Sequence, residues 1–371
     1  MIFWILDLLF RICYLTFVLK IKEKKDGCRD FVSLGEILLR FDPENERIHN
    51  ARSFRVFDGG AEYNVARNLA KVFRQKTAIV TALADNSLGR LAEDFAQQAG
   101  VDASEIVWRA HDGIGANTRN GLYFIERGFG LRPPDSCFDR GNTAVSQLKI
   151  GEVDWHRIFG EKNVRWFHTG GVFTGLSATT PQVAVEAVKI AKENGAIVSY
   201  DLNYRASLWK NRGGKTAANE LNRELLPFAD VVFGVISDEF KPSVAAFDEE
   251  KFQTAAEKMR ADFPNLQIIV STLRDVHDAS SHNFGAACFA EDRVTVAGKY
   301  FQANVLDRVG SGDAFVSGFI YGLLNGKDLK FAADCGAAHG VLAMTTIGDN
   351  STATVEEIEH LMRGGSSDVK R

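Results

Sequence analysis

The chain has 371 residues, 45% of them hydrophobic and 25% charged, with a formal net charge of −4 at pH 7. Such a composition describes a globular chain with a large core, and its mildly acidic balance gives no electrostatic reason to expect nucleic acid as a partner. Five scattered cysteines, Cys13, Cys28, Cys137, Cys288 and Cys335, form no Cys-x-x-Cys or Cys/His cluster, so the expected protein is reduced and cytoplasmic, without a zinc site, and acts on a small molecule.

Met1 to Ile21 is almost continuously apolar, broken by Asp7, Arg11 and Lys20, and Lys22, Lys24 and Lys25 follow. About 20 apolar residues span a bilayer, but each mid-segment charge costs roughly 2–3 kcal/mol there. Asp7 and Arg11, at i, i+4, offset part of that cost. No small-x-small cleavage site is present. Two readings of residues 1–29 stay open. One is an anchor that tethers the rest to the inner face of a membrane; the other, preferred here, is an upstream extension or misassigned start.

From Asp30 onward short apolar runs alternate with helical patterns. Strands are expected at Phe31 to Gly35, Ala78 to Leu83, Val164 to His168, Ala196 to Tyr200, Val231 to Gly234 and Gln267 to Thr272. Helices are expected from Val65 to Lys71, from Ser87 to Gln98, and from Thr180 to Gly195, the last with Thr180 as N-cap and Pro181 at N1. This order predicts an α/β fold: a mainly parallel sheet with helices on both faces and ligands at the strand carboxyl ends. Two stretches, about 36–58 and 111–146, alternate without helical period and predict a small β-sheet lid over the site, whose open face favours a homodimer. Residues 366–371 form a tail.

The segment Tyr300 to Val305 reads as a strand, and Ala314 to Asn325 as a helix with Gly326 as its C-cap. Between them stands Asp307-Arg308-Val309-Gly310-Ser311-Gly312-Asp313. Two glycines turn consecutive N–H groups inward as an anion-binding nest, and the helix aims its positive end at the same point. The Gly310, Ser311 and Gly312 N–H groups thus form an anion hole for a transferring phosphoryl group, and Asp313 is placed to take the proton of an attacking hydroxyl. An ordinary turn and helix cap is the alternative for this motif taken alone.

From about Asp30 to Leu361 the chain resembles the PfkB (ribokinase-like) carbohydrate kinases, and within them the kinases of 2-dehydro-3-deoxygluconate. The resemblance is carried by Gly35-Glu36, Gly59-Gly60-Ala61-Glu62-Tyr63-Asn64, Asp85 to Gly89, Gly121-Leu122-Tyr123, Asp201-Leu202-Asn203-Tyr204-Arg205, Thr272-Leu273-Arg274 and the Asp307 to Phe315 signature. It implies a kinase domain over residues 30–365 that moves the ATP γ-phosphoryl to the 6-hydroxyl of a sugar acid, with Asp313 as base.

By the same resemblance Gly59, Gly60, Asn64, Tyr123 and Arg205 bind the sugar acid, Arg205 through its carboxylate, although Tyr123 also fits a packing role and Arg205 also fits an ion pair with Asp201. Thr272, Arg274 and His339 are implied to contact ATP, with packing the alternative for His339. Mg2+ is implied on the phosphates, and Asp307 with the Val309 carbonyl as a potassium site. Two departures stand out. Gly234-Val235-Ile236-Ser237-Asp238-Glu239 lacks the family's Asn-x-x-Glu asparagine, and Ile125 stands where relatives carry an arginine, leaving Arg127, Arg119 or Arg205 alone for the carboxylate. Rival readings are a kinase for a neutral sugar such as fructose and a non-catalytic sugar or nucleotide sensor.

Overall fold

The computed structural model describes residues 19–365. The apolar stretch up to residue 18 and the tail 366–371 therefore lie outside the described residues. Residues 19–29 pack onto the body: Leu19 is buried in the core, the Lys22 carbonyl accepts from Arg165 Nε at 2.8 Å, and Arg29 pairs with Glu105 at 2.9 Å. No helix among the described residues is long and apolar enough to cross a membrane.

In chain order the strands are β1 (Phe31–Leu34), β2 (Leu38–Asp42), β3 (Arg55–Gly59), β4 (Thr77–Ala84), β5 (Val101–Asp102), β6 (Ile106–Arg109), β7 (Gly121–Glu126), β8 (Asp135–Asp139), β9 (Trp166–Gly170), β10 (Ile197–Asp201), β11 (Val231–Phe233), β12 (Ile268–Asp278), β13 (Ser281–Ala290), β14 (Arg293–Val296) and β15 (Tyr300–Asn304). An eleven-stranded sheet in the order β14-β13-β12-β11-β10-β9-β1-β4-β5 makes the body, with β15 beside β13 and β6 beside β4. Its pairs from β12 to β4 are all parallel, while β13 joins antiparallel to β12, β14 and β15.

The central parallel strands are mostly apolar and buried at nearly every position because both faces are covered. Phe31, Ile197, Val231 and Ile268 pack into one core with the helices Ala61–Lys71, Ser311–Leu324 and Leu329–Ala343; their neighbours Val32, Val198, Val232 and Ile269 pack into the other with Thr180–Glu193 and Glu249–Asp262. The period-2 pleat thus divides each strand between two cores. The helix Ser87–Gln98 is capped by Asn86, whose Oδ1 accepts from Gly89 N at 2.9 Å. One expected cap is corrected: Thr179 occupies the N-cap of Thr180–Glu193, and the Thr180 hydroxyl instead accepts from Ser177 N at 3.2 Å.

A second sheet, β3-β2-β7-β8, is built from the two stretches that lack helical period and forms the lid. β2 runs parallel to β7 and antiparallel to β3, with Arg40 opposite both Tyr123 and Phe57. Arg40 and Tyr123 thereby share the face turned toward the carboxyl ends of the body strands.

Candidate active site

The helix Ser311–Leu324 starts at the turn singled out by its glycines, with no side chain capping its first N–H groups. Gly310 has φ 74°, and a Cβ there would stand 1.7 Å from the Asp349 carbonyl oxygen. Left-handed backbone alone costs an L-residue about 1–2 kcal/mol, and here the Asp349 loop would have to move as well. Gly310→Ala is therefore expected to abolish ADP release and to lower the urea midpoint; a variant with wild-type turnover would show that the turn tolerates displacement. Ser311 is pinned from both sides, donating to the Arg308 carbonyl at 2.9 Å and accepting from Arg274 Nη2 at 2.5 Å.

Asp313, at the third helical position, faces a cavity of about 630 Å3 that Gly60, Asn64, Tyr123, Arg205 and Gly310 also line. Asn64 Nδ2 donates to Asp313 Oδ2 at 2.7 Å, while Asn64 Oδ1 is buried with no partner. Desolvation holds the Asp313 carboxyl well above the usual carboxylate range, against the pull of Asn64 and Arg205. Gly60 brings the Asn64 helix close to the first hinge of the lid: at φ 130° its Cβ would meet the Glu36 carbonyl at 1.9 Å. Gly59 ends β3 against the Asp349 carboxylate and does not itself line the cavity.

Arg205 lies just beyond β10, exposed, and makes no ion pair with Asp201 among the described residues. Asp201 instead accepts from Asn203 N at 3.1 Å. The Arg274 guanidinium is lowered to about 10 by burial first and by the charges of Arg308 and Arg205 second. Of the other arginines considered for a carboxylate, Arg127 lines the cavity but binds Asp42 at 3.2 Å and the Glu44 carbonyl at 2.8 Å. Arg119 is absent from the lining and bonds the Gly141 carbonyl.

Three further carboxyls belong to this region, Glu36 in the cavity lining and Glu62 and Asp201 outside it. Burial pushes Glu36 and Glu62 up to about 7 and Asp201 up to about 6. Glu62 accepts from Phe173 N at 3.0 Å, and its other oxygen is buried without a partner. Folded Glu62 keeps its proton between the ordinary 4.5 and about 7, where the unfolded chain has lost it. Its contribution to stability is therefore complete below pH 4.5 and is lost as pH rises to about 7, by roughly 3 kcal/mol at most. Glu62→Gln keeps the neutral shape and is expected to flatten the fall of melting temperature across that window; equal slopes for wild type and variant would show an ionised Glu62.

On the nucleotide side Thr272 and Arg274 share one face of β12, and neither lines the main cavity. The reading of His339 as an ATP contact is corrected. His339 is fully buried, its Nδ1 lies 3.1 Å from the Ser317 hydroxyl, its ring packs edge-on against Phe73, and burial lowers it to about 3. A ring enclosed in this way presents no surface to a nucleotide. Asp238 and Glu239, the candidate replacements for the missing Asn-x-x-Glu acid, line a separate groove with Lys215 and Lys251 and are not brought to Asp313.

The pfkB family carbohydrate kinase model matches residues 29–356. This chain is a PfkB family carbohydrate kinase. It is 29% identical over 343 residues to the 2-dehydro-3-deoxygalactonokinase of Haloferax volcanii, covering 92% of this chain and 99% of that one. It is 26% identical over 341 residues to the 5-dehydro-2-deoxygluconokinase of Clostridium perfringens, covering 90% and 93%. Among solved structures, the 2-dehydro-3-deoxygluconokinase of Thermotoga maritima superposes with a TM-score of 0.80 at 32% identity, covering 91% and 100%.

The kinase also holds residues at and behind the cavity that motif reading passed over, Asp349 in its lining and Arg40 buried beneath it. Arg40 and Asp349 stand 309 positions apart and meet at 2.9 Å, and the Tyr123 hydroxyl donates to the same Asp349. The packing alternative for Tyr123 is met in the structure, where its ring stacks on Phe138 at 5.3 Å, and the same side chain lines the cavity. Only a charged residue at an inward position of β2 hinted at Arg40; nothing in the local pattern marked Asp349.

Proposed function

We propose that this PfkB kinase transfers the γ-phosphoryl group of ATP to the 6-hydroxyl of 2-dehydro-3-deoxy-D-gluconate. The observation that carries the reading is Arg205, a guanidinium in the same cavity as Asp313 that makes no ion pair among the described residues. A neutral sugar has no use for it, whereas a carboxylate is gripped by two parallel N–H donors. The names of the three relatives reported above, kinases of keto-deoxy sugar acids, support the same class.

In this mechanism the substrate oxygen attacks the γ-phosphorus, the bond to the ADP oxygen breaks, and the hydroxyl proton passes to Asp313 as the loose transition state forms. N–H groups of the Gly310 to Gly312 turn, with Arg274 and Arg308 close by, stabilise the charge on the transferring group. Among the described residues no group of three His, Cys, Asp or Glu side chains is set to hold a metal. Mg2+ would enter with ATP and would neutralise charge on its phosphates. A homodimer through the lid is part of the proposal, since β8 is an exposed edge strand.

The test is ADP release by the full chain with ATP and Mg2+, comparing 2-dehydro-3-deoxygluconate, its galactonate epimer, fructose and no sugar. Selectivity for the sugar acids is the expected result. Turnover with fructose alone would overturn the carboxylate reading, and no turnover with any sugar would favour the sensor.

A further inference from the structure

We propose that Arg40 is a built-in cation that takes the place of a monovalent metal ion beside the anion-hole turn, so that turnover does not depend on potassium. The activity readout of this inference rests on the sugar-acid kinase reading; its thermal readout does not.

Arg40 sits on β2 of the lid with no exposed surface. Its Nη2 reaches Asp42 at 2.8 Å and also Asp307, and its Nη1 reaches Asp349 at 2.9 Å. Asp307 opens the anion-hole turn, and the Asp349 main chain is the wall against which Gly310 packs. One guanidinium therefore ties the lid to both segments that shape the phosphoryl site. Because it is covalently held, its presence does not vary with salt.

The residues expected to bind potassium do not fit such an ion here. Asp307 Oδ1 accepts from Val309 N at 3.1 Å, and Oδ2 accepts from Gly348 N at 3.2 Å and from Arg40. Asp349 Oδ1 accepts from both Arg40 and Tyr123. The donors belong to the chain on every side. A cation brought to Asp307 would also meet a guanidinium that stays protonated in a poorly solvated setting, where like charges repel strongly. The second guanidinium at Asp42, that of Arg127, adds to that repulsion. Arg40 is thus a positioning residue, acting on the reacting groups through Asp307 and Asp349.

The full chain is assayed by ADP release and by thermal melting, in potassium and in tetramethylammonium at equal ionic strength. For wild type, kcat/KM is expected to agree within about twofold and the melting temperature within about 1 °C between the two salts. Arg40→Ala is expected to lose kcat by about 100-fold in tetramethylammonium, more than KM changes, and to regain part of it in potassium, which now finds the Asp307 and Asp349 carboxylates without a guanidinium. Arg40→Lys keeps the charge and is expected to stay independent of potassium, which preserves the test if the alanine variant does not fold. Activation of wild type or of Arg40→Lys by potassium of about tenfold or more would overturn the proposal, as would full Arg40→Ala activity in tetramethylammonium. If no sugar turns over, wild-type melting still decides: a rise of more than about 2 °C in potassium would overturn it.

Discussion

Asp313→Asn is expected to fold, to bind ATP with unchanged affinity, and to lose about 10²–10⁴-fold in kcat, the range over which a positioned general base acts. The carboxamide has the shape of the carboxyl, and its oxygen still accepts from Asn64 Nδ2, now 2.7 Å from Asp313 Oδ2. What it lacks is proton affinity. An ordinary carboxylate, near 3.9, is a poor acceptor for an alcohol proton. Burial raises Asp313, and the charges of Asp201 and Asp349 raise it further, so the residue is a better base than its type suggests. The sign of the pH effect follows: the acid limb of kcat/KM, where Asp313 takes up its proton, is expected above the ordinary carboxylate range. Titration of kcat/KM from acid to neutral pH, with calorimetry of ATP binding by the variant, checks both statements. Wild-type turnover by Asp313→Asn would remove the residue from the chemistry.

Arg205→Ala separates sugar acids from neutral sugars. A hydrogen bond to a charged group is worth about 1.5–3 kcal/mol, so KM for 2-dehydro-3-deoxygluconate is expected to rise about 10–100-fold while the basal ATP hydrolysis of the enzyme is unchanged. Arg205 is exposed and makes no ion pair with Asp201, so its removal is expected to cost little stability. The second consequence is electrostatic. Arg205 lowers the proton affinity of Asp313, so the acid limb of kcat/KM is expected to move to higher pH in the variant. An unchanged KM for the acid would place the carboxylate elsewhere in the cavity, with Arg127, Arg140 and Arg308 the remaining arginines of its lining.

Much of this molecule was readable along the chain wherever a local rule governs the outcome. The parallel strands are short apolar runs because both faces are covered, and their positions follow to within a residue or two, as for Ile197–Asp201 and Val231–Phe233. The helix Ser87–Gln98 falls at the bounds its residue pattern predicts, and the turn before Ser311 announced itself through glycines, of which Gly310 takes a positive φ. Asp313, Asn64, Tyr123 and Arg205 do line one cavity, because each belongs to a segment at the carboxyl edge of the sheet or in the lid above it.

Other features depend on contacts between distant segments. β12 runs on to Asp278 and returns as β13 through polar residues such as His277, Asp278 and Ser281, which carry no alternation of their own; pairing with a neighbour, not side-chain pattern, makes them strand. His339 looked like a nucleotide contact by its place in a motif order, yet helix packing enclosed it beside Phe73 and Ser317. Asp307 was present in the turn from the start, but its partner was not: Arg40 lies 267 positions away, and only closure of the lid strand over the turn brings that guanidinium to the carboxylate. The residue types and the turn chemistry, and hence the reaction class, were written in local order. The charge balance around the transferring phosphoryl group was not, because it depends on which distant side chains share a space from which water has been excluded.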